Sequence, residues 1–262
     1  MCCDWIMCGR RIVDYHVHSD LSFDGSSTML EICEKAVKLN MKEIGFTDHM
    51  DFNPRDLGYG FFEYEKYSSE IEGARSVFGE KIIIRKGIEI DYQSHYEDDV
   101  RRWLGDKEFD YAIGSVHYIN DENVRYLLSK RPVNEVLENY VDEVLHSIKS
   151  GLFDVIGHFT ADFIRHLAFG IGVKSDLLTS EKDVLREIVA NELYLEVNTK
   201  ELRGAYRETL PSKRIIEEYI KCGARLFSVG SDAHSTEDVG YGINHVMQSL
   251  EKLCDYSLIF EK

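Results

Sequence analysis

The sequence has little proline, no long apolar run and no regular cysteine framework. Three prolines occur in 262 residues, and no Pro- or Ser-rich stretch resembles a linker, so we expect a single domain. Purely apolar runs are strand-sized, such as residues 82–84, which excludes a membrane-spanning helix and any membrane partner. The six cysteines show no paired spacing, and no secretory apolar segment is present. We therefore expect reduced thiols in a cytoplasmic protein.

Three of the cysteines, Cys2, Cys3 and Cys8, lie near the beginning of the chain. They could form a soft-metal site, but they lack the ligand spacing typical of one. The alternative, which we favour, is an N-terminal extension over residues 1–10 that is frayed. Residues 11–262 are then the folded domain.

Basic residues are few relative to acidic ones. The chain has 31 Lys and Arg against 47 Asp and Glu, which gives a formal net charge of −16. This field repels a phosphate backbone, so we expect no nucleic-acid partner. A small phosphorylated substrate could still enter a metal-rich pocket.

Several catalytic loops are also missing. No Gly-x-Gly-x-x-Gly or Walker-type loop follows the first predicted strand, which argues against a nucleotide-binding fold. No Gly-x-Ser-x-Gly segment is present, so the sequence gives no sign of a serine nucleophile.

What the chain does contain is a repeated alternation of short β-branched runs and helical patterns. The predicted strands are 12–18, 43–47, 82–90, 111–116, 153–157, 194–198 and 226–230, with 256–260 as a final strand or a tail. The predicted helices are 28–37, 63–78, 96–104, 133–149, 181–190, 211–222 and 244–253. Thr28 and Glu31 form a candidate capping box, and Pro211 is predicted to open its helix. Strand–helix units in series require a parallel sheet, so the fold class is α/β and the architecture a distorted (β/α)7 TIM-like barrel.

Ligand-type side chains follow the predicted strands. His16, His18, His49, Glu89, His117, His158, Asp232 and His234 all lie at or just beyond carboxyl ends of strands. These ends converge on one face of a parallel barrel, so residues far apart in sequence meet in one pocket. Imidazole and carboxylate suit zinc, iron and manganese. Burying so many ionisable groups without a cation costs several kcal/mol apiece.

Two of these histidines have a local geometric relation. His16 and His18 are residues i and i+2 of one strand, so both side chains project to the same face about 7 Å apart and can chelate one ion. The other histidines, His95, His146, His166 and His245, fall in predicted helices or loops and are interpreted as surface or packed residues.

The order of these motifs resembles the PHP (polymerase and histidinol phosphatase) family. The segments are Asp14-x-His16-x-His18, Thr47-Asp48-His49, Gly87-x-Glu89, Ser115-Val116-His117, Gly157-His158 and Ser231-Asp232-Ala233-His234. The similarity spans about residues 12–245. Chain length and the segments 154–158 and 196–199 are most similar to stand-alone histidinol-phosphate phosphatases.

The resemblance implies three divalent metal ions, which would be zinc, iron or manganese. One ion would bind His16, His18, Glu89 and Asp232; a second would share Glu89 and add His117 and His158; a third would bind Asp24, His49 and His234. Asp24 stands where some members have histidine, which favours iron or manganese there. Alternatively, Asp24 caps a turn with Gly25.

The resemblance also implies residue roles. Glu89, Asp232 and His234 would be catalytic, Asp14 and Asp48 would orient ligands, and Arg165, Arg203 and Asn198 would bind substrate. The arginines would grip the phosphate. The implied reaction is hydrolysis of L-histidinol phosphate to L-histidinol and phosphate by a hydroxide bridging two cations.

Two other functions stay open at this stage. One is phosphoesterase activity on another sugar or nucleoside phosphate, or on a nucleotide phosphodiester. The other is a catalytically silent, metal-stabilised domain that binds a partner. The sequence predicts no particular oligomeric state. The loop from Phe52 to Phe62 could close over the site or could be a static, packed loop.

Overall fold

The computed structural model describes residues 12–170 and 178–260 of the chain. Strands and helices alternate through both ranges. The strands are β1 (Val13–Val17), β2 (Glu43–Phe46), β3 (His49–Asp51), β4 (Ile83–Asp91), β5 (Tyr111–Ser115), β6 (Tyr118–Ile119), β7 (Glu122–Asn123), β8 (Val155–Ile156), β9 (Tyr194–Asn198), β10 (Leu226–Gly230) and β11 (Ser257–Leu258). The helices are α1 (Met29–Lys38), α2 (Tyr64–Phe78), α3 (Glu97–Gly105), α4 (Val124–Leu128), α5 (Val133–Ser150), α6 (Ala161–Phe169), α7 (Thr179–Ala190), α8 (Lys200–Arg203), α9 (Lys213–Lys221) and α10 (Ile243–Leu253), with a 3-10 turn at Ser94–Tyr96.

The main sheet is parallel and curved. Its strand order is β1-β2-β4-β5-β8-β9-β10-β11, with β3 paired to β4. The carboxyl ends of β1 and β10 meet, because the Asp232 amide donates to the His16 carbonyl and the His18 amide to the Ala233 carbonyl, each at 2.8 Å. The predicted α/β class and distorted (β/α)7 barrel are confirmed.

The Tyr111 side chain lies inside the barrel, between β5 and β1. The Tyr111 hydroxyl donates to the Tyr15 carbonyl at 2.6 Å, so the side chain connects β5 to β1. A Cβ atom at Gly45 would lie 2.0 Å from this hydroxyl, and one at Gly87 would lie 2.6 Å from the ring. Glycine on β2 and β4 is therefore required for the ring to fit.

The first helix begins where its capping residues predict. The Thr28 side chain accepts from the Glu31 amide, and Glu31 accepts from the Thr28 amide at 2.9 Å. Met29, Ile32, Cys33 and Ala36 are buried on one face of α1. Capping and amphipathic spacing agree, so the helix packs against the barrel as expected.

Several predicted boundaries differ from the structure. Pro211 does not open α9, which begins at Lys213, because Leu210 pairs with Asn198 in both directions (2.8 and 2.9 Å) and keeps this segment extended. Helix α6, helix α4 and the β6–β7 hairpin were not predicted. Residues 256–260 contribute the short strand β11. Residues 1–10, including Cys2, Cys3 and Cys8, lie outside the described residues.

No helix within residues 12–170 and 178–260 has the length and apolar character required to cross a membrane. Cys33, Cys222 and Cys254 are free thiols.

Candidate metal centre

The ligand-type side chains meet at the carboxyl end of the barrel. Three groups each have ligand atoms within 4.8 Å of one another: His18, Asp24, His49 and His234; His16, His18 and Asp232; and Glu89, His117 and His158. All nine residues predicted as ligands appear in these groups. Their coordination of metal stays a prediction.

Glu89 belongs to the group with His117 and His158 and also faces the other two groups. Its Oε1 atom is 3.0 Å from His158 Nε2 and accepts from the Ser115 hydroxyl at 2.6 Å. Its Oε2 atom is 3.1 Å from His16 Nε2 and 3.3 Å from His49 Nδ1. One carboxylate therefore faces ligand atoms of different groups, as an oxygen-bridging ligand of neighbouring cations would.

The histidines are oriented by acceptors at their outer nitrogens. His16 Nδ1 is 2.6 Å from Glu196, and His234 Nδ1 is 3.0 Å from the Asp232 carbonyl. His18 Nδ1 is 3.0 Å from the Ser22 oxygen, whose own proton goes to Asp48 at 3.0 Å. A proton on Nδ1 leaves the Nε2 lone pair directed into the cluster.

The inner nitrogens then face one another. The Nε2 atoms of His16 and His18 are 3.0 Å apart, and those of His117 and His158 are 3.1 Å apart. Two lone pairs at this distance repel unless a proton or a cation lies between them. His49 Nδ1 and His234 Nε2 are buried without a hydrogen bond of good geometry. These residues fit a set of divalent cations bound by nitrogen and oxygen.

Asp24 points towards this cluster. Its Oδ2 atom is 3.0 Å from His234 Nε2 and 3.9 Å from His49 Nε2. The carboxylate therefore has the position of a ligand, which favours that interpretation over a turn cap.

Charge in the cluster is divided unevenly. Burial by itself would raise the pKa of Glu89, but His16 and His49 hold it well below its usual value. Burial would also raise the pKa of Asp232, but Lys200 and His16 hold it well below its usual value. Burial lowers the pKa of His49 to about 4 and lowers that of His18 strongly. The Glu89 and Asp232 carboxylates are thus ionised and the His18 and His49 imidazoles neutral near pH 7. Against the effect of burial, Glu196 raises the pKa of His16 well above its usual value and Asp91 raises that of His117 to about 9, so metal binding at these two histidines would displace protons.

Asp14 and Asp48 lie directly behind the ligands. Asp14 accepts from the Ser231 amide at 2.8 Å and the Gly240 amide at 2.9 Å, which fixes the loop after β10. Asp48 accepts from the Ser19 amide at 2.6 Å and from the Ser22 hydroxyl. Both therefore orient the segments that carry ligands.

The predicted phosphate-gripping arginines are engaged elsewhere. Arg165 is buried, and its guanidinium pairs in bidentate fashion with Glu181 and at 3.1 Å with Asp162. Arg203 donates to the carbonyls of Ser231 at 2.8 Å and Asp232 at 2.9 Å. The structure therefore gives Arg165 a role in packing α6 against α7, and Arg203 a role in holding the segment that carries Asp232.

Asn198 is also a positioning residue in this structure. It is fully buried, and its amide donates to Asp232 Oδ2 at 3.1 Å. Its Oδ1 atom accepts from the Lys200 amide at 2.9 Å. Both ends of the side chain contact protein, which does not support the predicted substrate contact.

Three residues that contact the predicted ligands were not predicted from the sequence: Glu196, Asp91 and Lys200. Glu196 accepts from the His158 amide at 2.7 Å as well as facing His16, and Asp91 lies 3.3 Å from His117 Nδ1. The sequence did carry a signal for two of them, because residues two apart on a strand project to the same face. Glu196 is two residues before Asn198 on β9, and Asp91 is two residues after Glu89 on β4. Lys200 Nζ is 3.0 Å from Asp232 Oδ1.

The four histidines interpreted as non-ligands lie outside the three groups formed by the described residues. His95, for example, pairs with Asp121 at 3.1 Å.

A parallel barrel that carries histidine and carboxylate clusters at its carboxyl end is an architecture of metal-dependent hydrolases. The PHP domain model matches residues 14–200, and the chain belongs to the PHP family. The match ends before Asp232 and His234. Their assignment to the site is supported by their position in the structure and by relatives that are similar over nearly the whole chain.

Curated relatives are similar over nearly the whole chain. A probable histidinol-phosphatase of Thermotoga maritima is 28% identical over 92% of this chain and 92% of its own. The histidinol-phosphatase of Bacillus subtilis is 27% identical over 87% of this chain and 95% of its own. The crystal structure of histidinol phosphate phosphatase from Lactococcus lactis, complexed with zinc, L-histidinol and phosphate, matches with a TM-score of 0.81 at 22% identity, covering 95% of each chain. This last likeness confirms the fold.

Proposed function

We propose that the chain is a metal-dependent phosphomonoesterase that hydrolyses L-histidinol phosphate to L-histidinol and phosphate, a reaction of histidine biosynthesis. The observation that carries the proposal is the convergence of three ligand groups on the Glu89 carboxylate at the open end of the barrel. The names and coverage of the curated relatives support the substrate.

The cofactor would be three divalent cations, held by the nine residues that the family resemblance implied as ligands. Zinc is supported by the Lactococcus lactis complex, while iron and manganese stay predictions. When bound, such cations lower the pKa of water and neutralise charge on phosphoryl oxygens. Glu89, Asp232 and His234 are the proposed catalytic residues, because each presents an ionisable atom to more than one neighbour in the cluster.

A small cavity next to the cluster supports a small substrate. Its volume is about 170 Å³, and His117, His158 and Asp232 are among the residues that line it. Phe163, on α6, also lines the cavity and adds apolar surface that suits a flat ring such as imidazole. We propose no nucleic-acid partner, given the net charge of −16. A cytoplasmic location stays a prediction.

The decisive test is phosphate release from L-histidinol phosphate, compared with sugar and nucleoside phosphates and a generic aryl phosphate, on protein with quantified metal. We expect a kcat/KM for histidinol phosphate orders of magnitude above the panel, and loss of turnover in Glu89→Gln. Similar weak rates across the panel would retain the phosphoesterase and reject this substrate. A metal-loaded protein inactive on every compound would support the silent partner-binding domain.

A further inference from the structure

Lys200 is a cation that contacts the cluster and is also accessible from outside. It begins α8, directly after β9, at the carboxyl end of the barrel. Its Nζ atom is 3.0 Å from Asp232 Oδ1, while 44% of its side chain is exposed. A lysine whose side chain is partly exposed can meet an incoming anion while its ammonium group remains beside the ligand groups.

Lys200 also borders the cavity of about 170 Å³ described above. His117, His158 and Asp232, which are proposed metal ligands, line the same cavity. A phosphate ester bound in the cavity would therefore lie close to both the ligands and Lys200.

The other candidate cations are less well placed. Arg165 and Arg203 are held by carboxylates and carbonyls, as described above. Arg125, which lines the cavity as well, lies over the Phe163 ring at 5.4 Å, and no ion pair joins it to the ligand groups within the described residues. Lys200 is the cavity cation in direct contact with a ligand residue.

We propose that Lys200 binds the phosphoryl oxygens of the substrate, the role that the family resemblance implied for Arg165 and Arg203. This inference rests on the proposed phosphatase function. A phosphoryl oxygen would replace the Asp232 carboxylate as the partner of the ammonium group, so Lys200 would add affinity for phosphate and for the phosphoryl group in the transition state.

The test compares Lys200→Ala and Lys200→Arg with wild type and with Lys213→Ala, a control whose side chain is 73% exposed on α9. The measurements are kcat and KM for L-histidinol phosphate and for a generic aryl phosphate, the inhibition constant of inorganic phosphate, and metal content. For Lys200→Ala we expect both KM and the inhibition constant to rise roughly 10- to 100-fold. We expect metal content to be unchanged, partial recovery in Lys200→Arg, and no change in Lys213→Ala.

Metal content separates phosphate binding from a structural role. If Lys200 mainly positions Asp232, Lys200→Ala loses metal, and after metal is restored its inhibition constant for phosphate equals that of wild type. That result overturns the proposal.

Failure of the proposed substrate is distinguishable. If wild type hydrolyses only the aryl phosphate, the phosphate inhibition series still decides the role of Lys200. If nothing is hydrolysed, calorimetric titration of the metal-loaded proteins with inorganic phosphate decides it: weaker binding by Lys200→Ala supports the inference, and equal binding refutes it.

Discussion

Replacing Glu196 by glutamine tests whether Glu196 keeps the His16 proton on Nδ1, so that the Nε2 lone pair is free to bind a metal. Glu196 is fully buried, lies 2.6 Å from His16 Nδ1 and accepts from the His158 amide at 2.7 Å. Both neighbours act as donors to the carboxylate. A glutamine side chain has one oxygen, so its amide group must face one of these donors.

The expected consequence follows from that mismatch. The His158 amide cannot change its role, so the new amide group is expected to face His16 Nδ1, which must then act as an acceptor. The His16 proton moves to Nε2, the atom that faces His18 Nε2 and Glu89, and this atom loses its lone pair for a metal. Outer-shell changes of this kind weaken metal binding about 10- to 100-fold, or about 1.4 to 2.7 kcal/mol.

The assay is the metal content of Glu196→Gln after dialysis against graded concentrations of a chelator. Glu65→Gln on the exposed side of α2 is a control with the same chemical change. We expect Glu196→Gln to release metal at a chelator concentration roughly 10- to 100-fold lower than either wild type or the control. Equal retention of metal by all three proteins would refute the tautomer argument.

Three further predictions concern the packing and titration of the barrel. Arg165→Met should lower the free energy of unfolding, measured in denaturant, by roughly 3 kcal/mol, because it leaves Glu181 buried without its partner. The KM of the folded enzyme should stay within about twofold. A large rise in KM at unchanged stability would instead support phosphate binding by Arg165. Gly230→Ala should lower both the thermal stability and the metal content, since the new Cβ would lie 2.3 Å from His16 Cβ. Calorimetry measures the unfolding temperature and metal analysis the content; wild-type values of both would contradict the prediction. In chelator-treated protein, the His49 pKa is about 4 when folded and 6.5 when unfolded, so the His49 contribution to stability is fully present above pH 6.5 and decreases by up to about 3 kcal/mol as the pH falls towards 4. Denaturant unfolding of His49→Gln at graded pH should lack this contribution, and the same pH dependence as wild type would exclude it.

The fold could be predicted because its signals are local. The alternation of strand and helix patterns identified the seven barrel strands, and the Thr28 capping box located the beginning of α1. The β6–β7 hairpin was missed because strands of two residues give almost no periodic signal. The placement of Pro211 failed for another reason: Leu210 pairs with Asn198 on β9, a contact that no local pattern contains.

For the candidate site, topology alone was sufficient to bring the predicted ligands together. Residues at the carboxyl ends of parallel strands converge whatever their side chains contact, so His16, Glu89 and Asp232 could be predicted to meet. The direction of a side chain on a following helix depends on how that helix packs, and sequence order does not give it. Arg165 on α6 turns towards Glu181 on α7, although it follows the predicted ligand His158 closely in sequence.

The difference between Arg165 and Lys200 shows what decides the fate of a cation near such a site. Arg165 can form a planar, bidentate pair, and the buried Glu181 satisfies it completely, so burial without that partner would cost several kcal/mol. Lys200 faces a carboxylate that also belongs to a ligand group, and part of its side chain stays exposed. We expect a cation whose counter-charge would be shared with a bound metal to remain available to an anion, and one with a dedicated buried partner not to. Functional cations in a barrel of this kind should therefore be sought next to the ligands themselves, and the carboxylate that each cation contacts is the observation that distinguishes them.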